Sequence, residues 1–279
     1  MESSAREPRA GEEFYHVRVR PGGVAGYVLM PGDPERVPKI AGFWDEAEEV
    51  SFHREYRLWN GKIGGKPISA CSTGIGAPST AIAVEELARA GAHTFIRVGS
   101  TGAIQPGIEI GDLIISTAAV KLEGTSRQYV PESYPAHASY EVVLALVEAA
   151  ETLGVRYHLG VTASTDSFYP GQSRPGYRGY SWSYSETLIR DLRAMGVLNF
   201  EMEASVIFTL ASLYGLRAGA VCTVFANRVE DKFGVKGEEE VSRVAVEAVK
   251  ILYEWDEAKK NAGKRYFHPS LLKQFYRRA

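Results

Sequence analysis

Short apolar runs alternate with longer stretches of helical periodicity along most of this 279-residue chain, and the joints between them are rich in glycine and proline. Residues 24–30, 93–98, 112–121, 156–165 and 217–226 read as strands bounded by turn residues. Residues 56–63 and 67–71, with Gly64 and Gly65 between them, read as a hairpin. Residues 78–90, 140–153, 187–195, 204–214 and 238–256 carry apolar side chains at helical spacing. Strands separated by helices of this length predict an α/β fold around a mostly parallel or mixed sheet covered on both faces. Two connections are long, 166–185 and 227–237, and long irregular segments in a compact domain are usually functional.

Composition excludes several classes. Lys plus Arg total 32 against 34 for Asp plus Glu, a net charge of −2, so nothing global attracts nucleic acid or an anionic membrane. Residues 1–13 are polar and lack the apolar core of a secretion signal. The longest apolar stretch, 204–216, is too short to span a bilayer. Cys71 and Cys222 sit in apolar runs as small buried hydrophobes, not as a disulfide scaffold. The expectation is a reduced, cytoplasmic protein with no nucleic-acid or membrane partner. One domain is expected over residues 14–256, followed by a basic extension, 257–279, docked through Phe267, Leu271 and Phe275.

In such a sheet, ligands sit at the carboxyl ends of strands. Four segments there could carry chemistry. In PGDPER, Asp33 is expected to cap a helix with Pro34 in its first position, and Arg36 in the first turn could help hold an anion. An ordinary helix start explains the same residues. STGIGAPS is an incomplete dinucleotide fingerprint, because Ser79 stands at the third glycine position and no acid ends the next strand. Arg97 followed by Gly-Ser-Thr-Gly could form an oxyanion cradle from its guanidinium, Ser100 and Thr101. NFEMEAS sets Glu201 and Glu203 against an apolar helix, where a carboxylate suits two adjacent sugar hydroxyls or simply the helix dipole. In FYPGQSR, Gln172 offers an acceptor beside a donor and Arg174 offers donors only. Together they match the acceptor–donor–acceptor edge of uracil, with Phe168 available to stack.

Taken together, VLMPGDPERVPKIA, FHREYR, the run from CSTGIGAPST to GDLIIS, VTASTDSFYPGQSR and MGVLNFEMEAS resemble the nucleoside phosphorylase-I family, and within it the uridine phosphorylases, over about residues 14–227. The resemblance implies a three-layer α/β/α fold with a mixed, partly barrel-like central sheet, assembled as a hexamer built from dimers. It also implies reversible phosphorolysis of uridine to uracil and ribose 1-phosphate, with inorganic phosphate as co-substrate and no required cofactor. By position, the phosphate site is Gly32, Arg36, Arg97 and Ser100, with Arg54 from a neighbouring subunit. The ribose site is Met202 and Glu203, with His16 from the adjacent subunit, and the base site is Phe168, Gln172, Arg174 and Arg228. Catalysis falls to Arg97, Arg36 and Glu203. Glu55, Ile75 and Ser79 match positions where some members hold a monovalent cation such as K+.

The chain departs from the family in places. Ser100 stands where threonine is frequent, and Phe225-Ala226 replaces an aliphatic pair. Purine-specific relatives carry an aspartate near 226–228 to protonate the base, whereas Asp231 comes later here. The competing readings are a purine nucleoside or methylthioadenosine phosphorylase, a nucleosidase that uses water, and a nucleoside-binding protein without catalysis.

Overall fold

The computed structural model describes residues 4–271. A two-stranded ribbon, β1 (Arg9–Ala10) and β2 (Glu13–Phe14), precedes the main body. The main sheet takes β3 (Tyr27–Met30), β4 (Glu46–His53), β5 (Tyr56–Ile63), β6 (Lys66–Cys71), β7 (Thr94–Ala103) and β8 (Leu113–Leu122). It is completed by β9 (Tyr157–Thr165), β10 (Asn199–Glu201), β11 (Arg217–Asn227) and β12 (Lys232–Phe233). The helices are α1 (Arg36–Ala41), α2 (Ala77–Arg89), α3 (Tyr140–Leu153), α4 (Ser183–Ala194), α5 (Ala204–Leu213) and α6 (Glu238–Ala262).

Strand order is β12-β11-β8-β9-β10-β7-β3-β6-β5-β4, and β11 also pairs with β7. That extra pairing closes β7, β11, β8, β9 and β10 into a five-stranded mixed barrel, from which β3, β6, β5 and β4 run out as an open wing. The expected α/β architecture with a partly barrel-like sheet is therefore present.

Alternation along the strands distributes the core. Tyr27, Leu29, Ile96 and Val98 pack with α1, α3 and α6, while Val28, Met30 and Phe95 face α2 and α5. Both faces of these strands are buried, which is why the runs read as continuously apolar.

Several boundaries differ from the sequence reading for identifiable reasons. Helix α1 begins at Arg36, not Pro34, and Asp33 accepts from the Glu35 amide at 2.9 Å within the preceding turn. Strand β7 does not stop at Val98 but continues through GSTGA, because β11 and β10 pair with it there. Strand β4, EAEEVSFH, is acidic and mostly exposed; as an edge strand paired only with β5 it has no apolar pattern to betray it. Helix α4 starts at Ser183, inside the segment expected to be loop, and α6 runs to Ala262, past the break in composition at 256. Phe267 and Leu271 are buried as expected, and Phe267 stacks on Trp255 at 3.9 Å; Phe275 lies outside the described residues.

At the barrel end where β7 and β11 begin, a polar network joins strands to helices. Arg217 bonds Asp256 at 2.7 Å and Glu141 at 3.0 Å, Lys259 contacts the same two carboxylates at 2.8 and 2.6 Å, and Tyr27 donates to Asp256. Glu141 also accepts the Phe267 amide at 3.0 Å, which ties the chain beyond α6 to the barrel. Burial opposes the Asp256 charge, but bonds from Arg217 and Lys259 prevail and push its carboxyl from 3.8 down to about 2. A depressed carboxyl stabilises the fold above its unfolded pKa, and that contribution drains away as pH falls from about 4 towards 2. Asp256→Asn should therefore cost ~2 kcal/mol at neutral pH and flatten the acid limb of the stability profile, as read by urea unfolding between pH 2 and 7.

Candidate functional site

Most of the candidate site residues gather at the carboxyl ends of β3, β9 and β10, along β7, and around the end of β11. They line a cavity of about 590 Å³. Arg97 anchors one wall. It sits in the middle of β7, buried, with its Nε 2.7 Å from Glu201 and its Nη2 2.6 Å from Glu203. Burial works against the Arg97 charge, but Glu203, then Cys222 and Glu201, more than offset it, so the guanidinium stays protonated. Gly99 is required beside it: a Cβ there would stand 2.8 Å from both the Arg97 Cζ and the Cys222 sulfur. Here a glycine inside a strand serves close approach rather than a turn.

Arg36 faces the same cavity from the first residue of α1, with Gly32 in the turn before it. Its Nη2 donates to Glu238 at 3.1 Å, while its buried Nε has no hydrogen-bond partner in the protein. Ser100 lines the cavity, as expected. Thr101 lines it too, but its hydroxyl is committed within the fold, donating to the Phe200 carbonyl at 2.5 Å and accepting from Asn199 at 2.7 Å. It is therefore a strut and not the cradle hydroxyl expected from its position.

The short strand β10 delivers Glu201, Met202 and Glu203 to the cavity wall. Glu203 accepts the Gly76 amide at 2.6 Å, so the glycine-rich turn after β6 serves this carboxylate and not a dinucleotide. Burial pushes the Glu203 carboxyl above its ordinary value, and Arg97 is the largest influence pulling it back.

Gln172, also on the cavity wall, is buried and donates to Thr165 at 3.0 Å, while its oxygen accepts from Arg174 Nη1 at 2.7 Å. One amide N–H and one oxygen lone pair of Gln172 remain for a ligand. The Arg174 guanidinium lies 3.8 Å from the Phe168 ring centroid. Burial, with Arg228 beside it, brings the Arg174 pKa down to about 10, still charged at neutral pH. Arg228 does not line the cavity; it donates to the carbonyls of Gln172 at 2.8 Å and Ser173 at 3.3 Å, bracing the loop from behind. A bulge in β11 between Val224 and Ala226 turns Phe225 into the cavity, at the pair where this chain departs from the family.

Arg54 and His16 stand away from this cavity. The Tyr15 ring joins them: its centroid is 4.9 Å from that of His16 and 5.9 Å from the Arg54 guanidinium. His16 is held by Glu86, 2.7 Å from its Nδ1. Glu55 and Ser79 flank Gly74, and the Ser79 hydroxyl lies 3.4 Å from the Ile75 carbonyl, so this trio does cluster. Among the described residues there is no group of three or more His, Cys, Asp or Glu side chains able to hold a metal ion. No helix among them is long and apolar enough to cross a membrane.

The cavity thus brings together two guanidiniums, a carboxylate, and an amide–guanidinium pair beside an aromatic ring. It suits a ligand with an oxyanion, vicinal hydroxyls and a planar heterocycle. Sequence comparison agrees. Residues 27–254 match the Phosphorylase superfamily, and the chain belongs to it. It is 66% identical to the uridine phosphorylase of Thermococcus kodakarensis over 269 residues, 96% of this chain and 97% of that one. It is 46% identical to the uridine phosphorylase of Escherichia coli over 82% of this chain and 90% of that one. A guanosine phosphorylase of Halorubrum lacusprofundi is 42% identical over 77% of this chain and 83% of that protein.

Because Arg228 carries two charge-assisted bonds to the 172–173 backbone, Arg228→Ala should loosen that loop. Amide exchange at Ser173 and Arg174 should speed up by roughly tenfold or more, as measured by hydrogen–deuterium exchange, with little change in β7.

Proposed function

We propose that this member of the phosphorylase superfamily cleaves uridine by reversible phosphorolysis, giving uracil and ribose 1-phosphate, with inorganic phosphate as co-substrate and no cofactor. The observation that carries the reading is the gathering of these groups around one cavity: Arg36 and Arg97, Glu203, and Gln172 with Arg174. The identity to uridine phosphorylases over nearly the whole chain supports it.

In this mechanism Arg36, Arg97, Gly32 and Ser100 hold phosphate beneath C1′, turning a bimolecular encounter into an oriented one. Glu203 and the Met202 backbone fix the sugar. A phosphate oxygen bonds to C1′ as the bond from C1′ to N1 of the base breaks. The bonding pair leaves with the uracil, and the proton of hydrogen phosphate ends on it. Donors from Gln172 and Arg174 stabilise the charge that builds on the uracil oxygens, a stabilisation greatest in the transition state. Phe168 covers the ring.

His16 and Arg54 would complete the sugar and phosphate ends of a neighbouring subunit's site. Their shared position beside Tyr15, outside their own cavity, supports a homo-oligomer with shared sites, which we take to be a hexamer of dimers. The cluster of Glu55, Ile75 and Ser79 is the candidate seat for a monovalent cation such as K+. Two buried thiols without a disulfide favour a cytoplasmic setting.

The identity to a guanosine phosphorylase favours one competing reading, a purine substrate. Against it stands Asn227, whose amide is bound to the Gln105 and Ile108 carbonyls at 3.2 and 2.8 Å and so is not available to a base. Uracil release from uridine with and without phosphate, alongside guanosine and inosine, separates these possibilities; phosphate-independent release would refute phosphorolysis. Arg36→Ala should lower kcat/KM by ~10²–10³-fold. Gly99→Ala should cost a similar factor by displacing the Arg97 guanidinium, although it adds only a methyl group.

A further inference from the structure

Glu201 is a buried ionisable group to which the proposed chemistry gives no task. Its side chain is fully buried. Three donors close on its carboxylate, the amides of Glu203 and Ala204 at 2.8 Å each and the Ser164 hydroxyl, and Arg97 Nε lies 2.7 Å away as its ion-pair partner. Ser164 is itself fixed by the Ser205 amide at 2.9 Å. The Ser205 hydroxyl donates to buried Glu123 at 3.0 Å, and Glu123 also takes the Ser126 amide at 2.9 Å and its hydroxyl. Glu203, in contrast, is held by the Gly76 amide and one corner of Arg97. Arg97 therefore lies between an anchored carboxylate and an exchangeable one.

We propose that Glu201 is a positioning residue: it keeps the Nε edge of Arg97 in place, so that the Nη2 corner can pass from Glu203 to an arriving oxyanion while Glu203 turns to the sugar hydroxyls. The inference rests on the phosphorolysis reading. A guanidinium presents five donors in a rigid fork, so holding one edge orients the other. Without that hold, Glu203 becomes the only carboxylate paired with Arg97, and both substrates must first break a buried ion pair. The same Glu201 oxygen also receives the first amides of α5, so guanidinium and ribose-binding turn are set by one group.

Glu201→Gln tests this with little change of shape. The new amide oxygen can accept from both backbone amides and keeps an oxygen beside Arg97 Nε, without the charge. Its NH2 can donate to Ser164, whose oxygen has a lone pair to spare beside the bond from Ser205. Wild-type uracil release is assayed first. A chain that releases uracil no faster with phosphate than without sinks phosphorolysis and this proposal together, whereas an active wild type isolates the question of Glu201. With folding verified by thermal unfolding, the variant should show KM for phosphate and for uridine each raised by roughly tenfold. A merely structural Glu201 would lower the amount of active enzyme and leave both KM values alone. Unchanged KM values in folded Glu201→Gln, or a lower KM for phosphate, overturn the proposal. Should that variant not fold, Ser164→Ala removes one of the three donors and keeps the charge; both KM values should rise by about two- to threefold, and values equal to wild type overturn it.

Discussion

A buried guanidinium held between two buried carboxylates is the constraint around which this molecule is arranged. Desolvating Arg97 is costly, and it is tolerated because Glu201 and Glu203 approach to 2.7 and 2.6 Å. The two acids stand two residues apart on β10 and the turn after it, so that strand must lie beside β7, as the closed barrel ensures. The close approach also dictates Gly99, where any side chain would collide with the guanidinium. The cations proposed to bind phosphate are paired with carboxylates, Arg97 with Glu201 and Glu203 and Arg36 with Glu238. On the proposed mechanism, substrate entry is an exchange of partners.

The barrel divides its two ends between chemistry and stability. Carboxyl ends of strands open onto the cavity, and in the glycine-rich turn after β6 the Gly76 amide donates to Glu203. The opposite end is sealed by Arg217, Asp256, Glu141 and Lys259, which link α3 and α6 to β11. A site that exchanges partners needs a scaffold that does not move with it, and the polar network at the closed end supplies one.

Much of the fold was legible before any coordinates. Helix α3 matches its expected bounds residue for residue, and the β5–β6 hairpin and α2 are within one or two residues, because burial on one face or both leaves a clear periodic trace. The misses have separate causes. Edge strand β4 buries too little to impose a pattern, β10 is buried but at three residues too short to show one, and β7 outruns its apolar stretch because neighbouring strands, not its own sequence, decide how far it extends. In the site, Arg36, Arg97, Glu203, Gln172 and Arg174 could be named from local chemistry and resemblance, and all five line the cavity. What those side chains bond to could not be read, since Glu203 meets an amide 127 positions away and Arg36 a carboxylate 202 positions away.

Periodicity by itself determined the α/β architecture with a sheet covered on both faces and the burial of both cysteines, because these depend on short-range patterning; the cavity-lining side chains were named from local chemistry and resemblance. Tertiary structure alone decided that β11 would close back on β7, that Arg228 would brace a loop instead of facing the cavity, and that Glu201 and Glu203 would hold the two edges of one arginine. The physical reason is that hydrogen bonds and ion pairs act over about 3 Å, so partners far apart in the chain become partners only when packing brings them together.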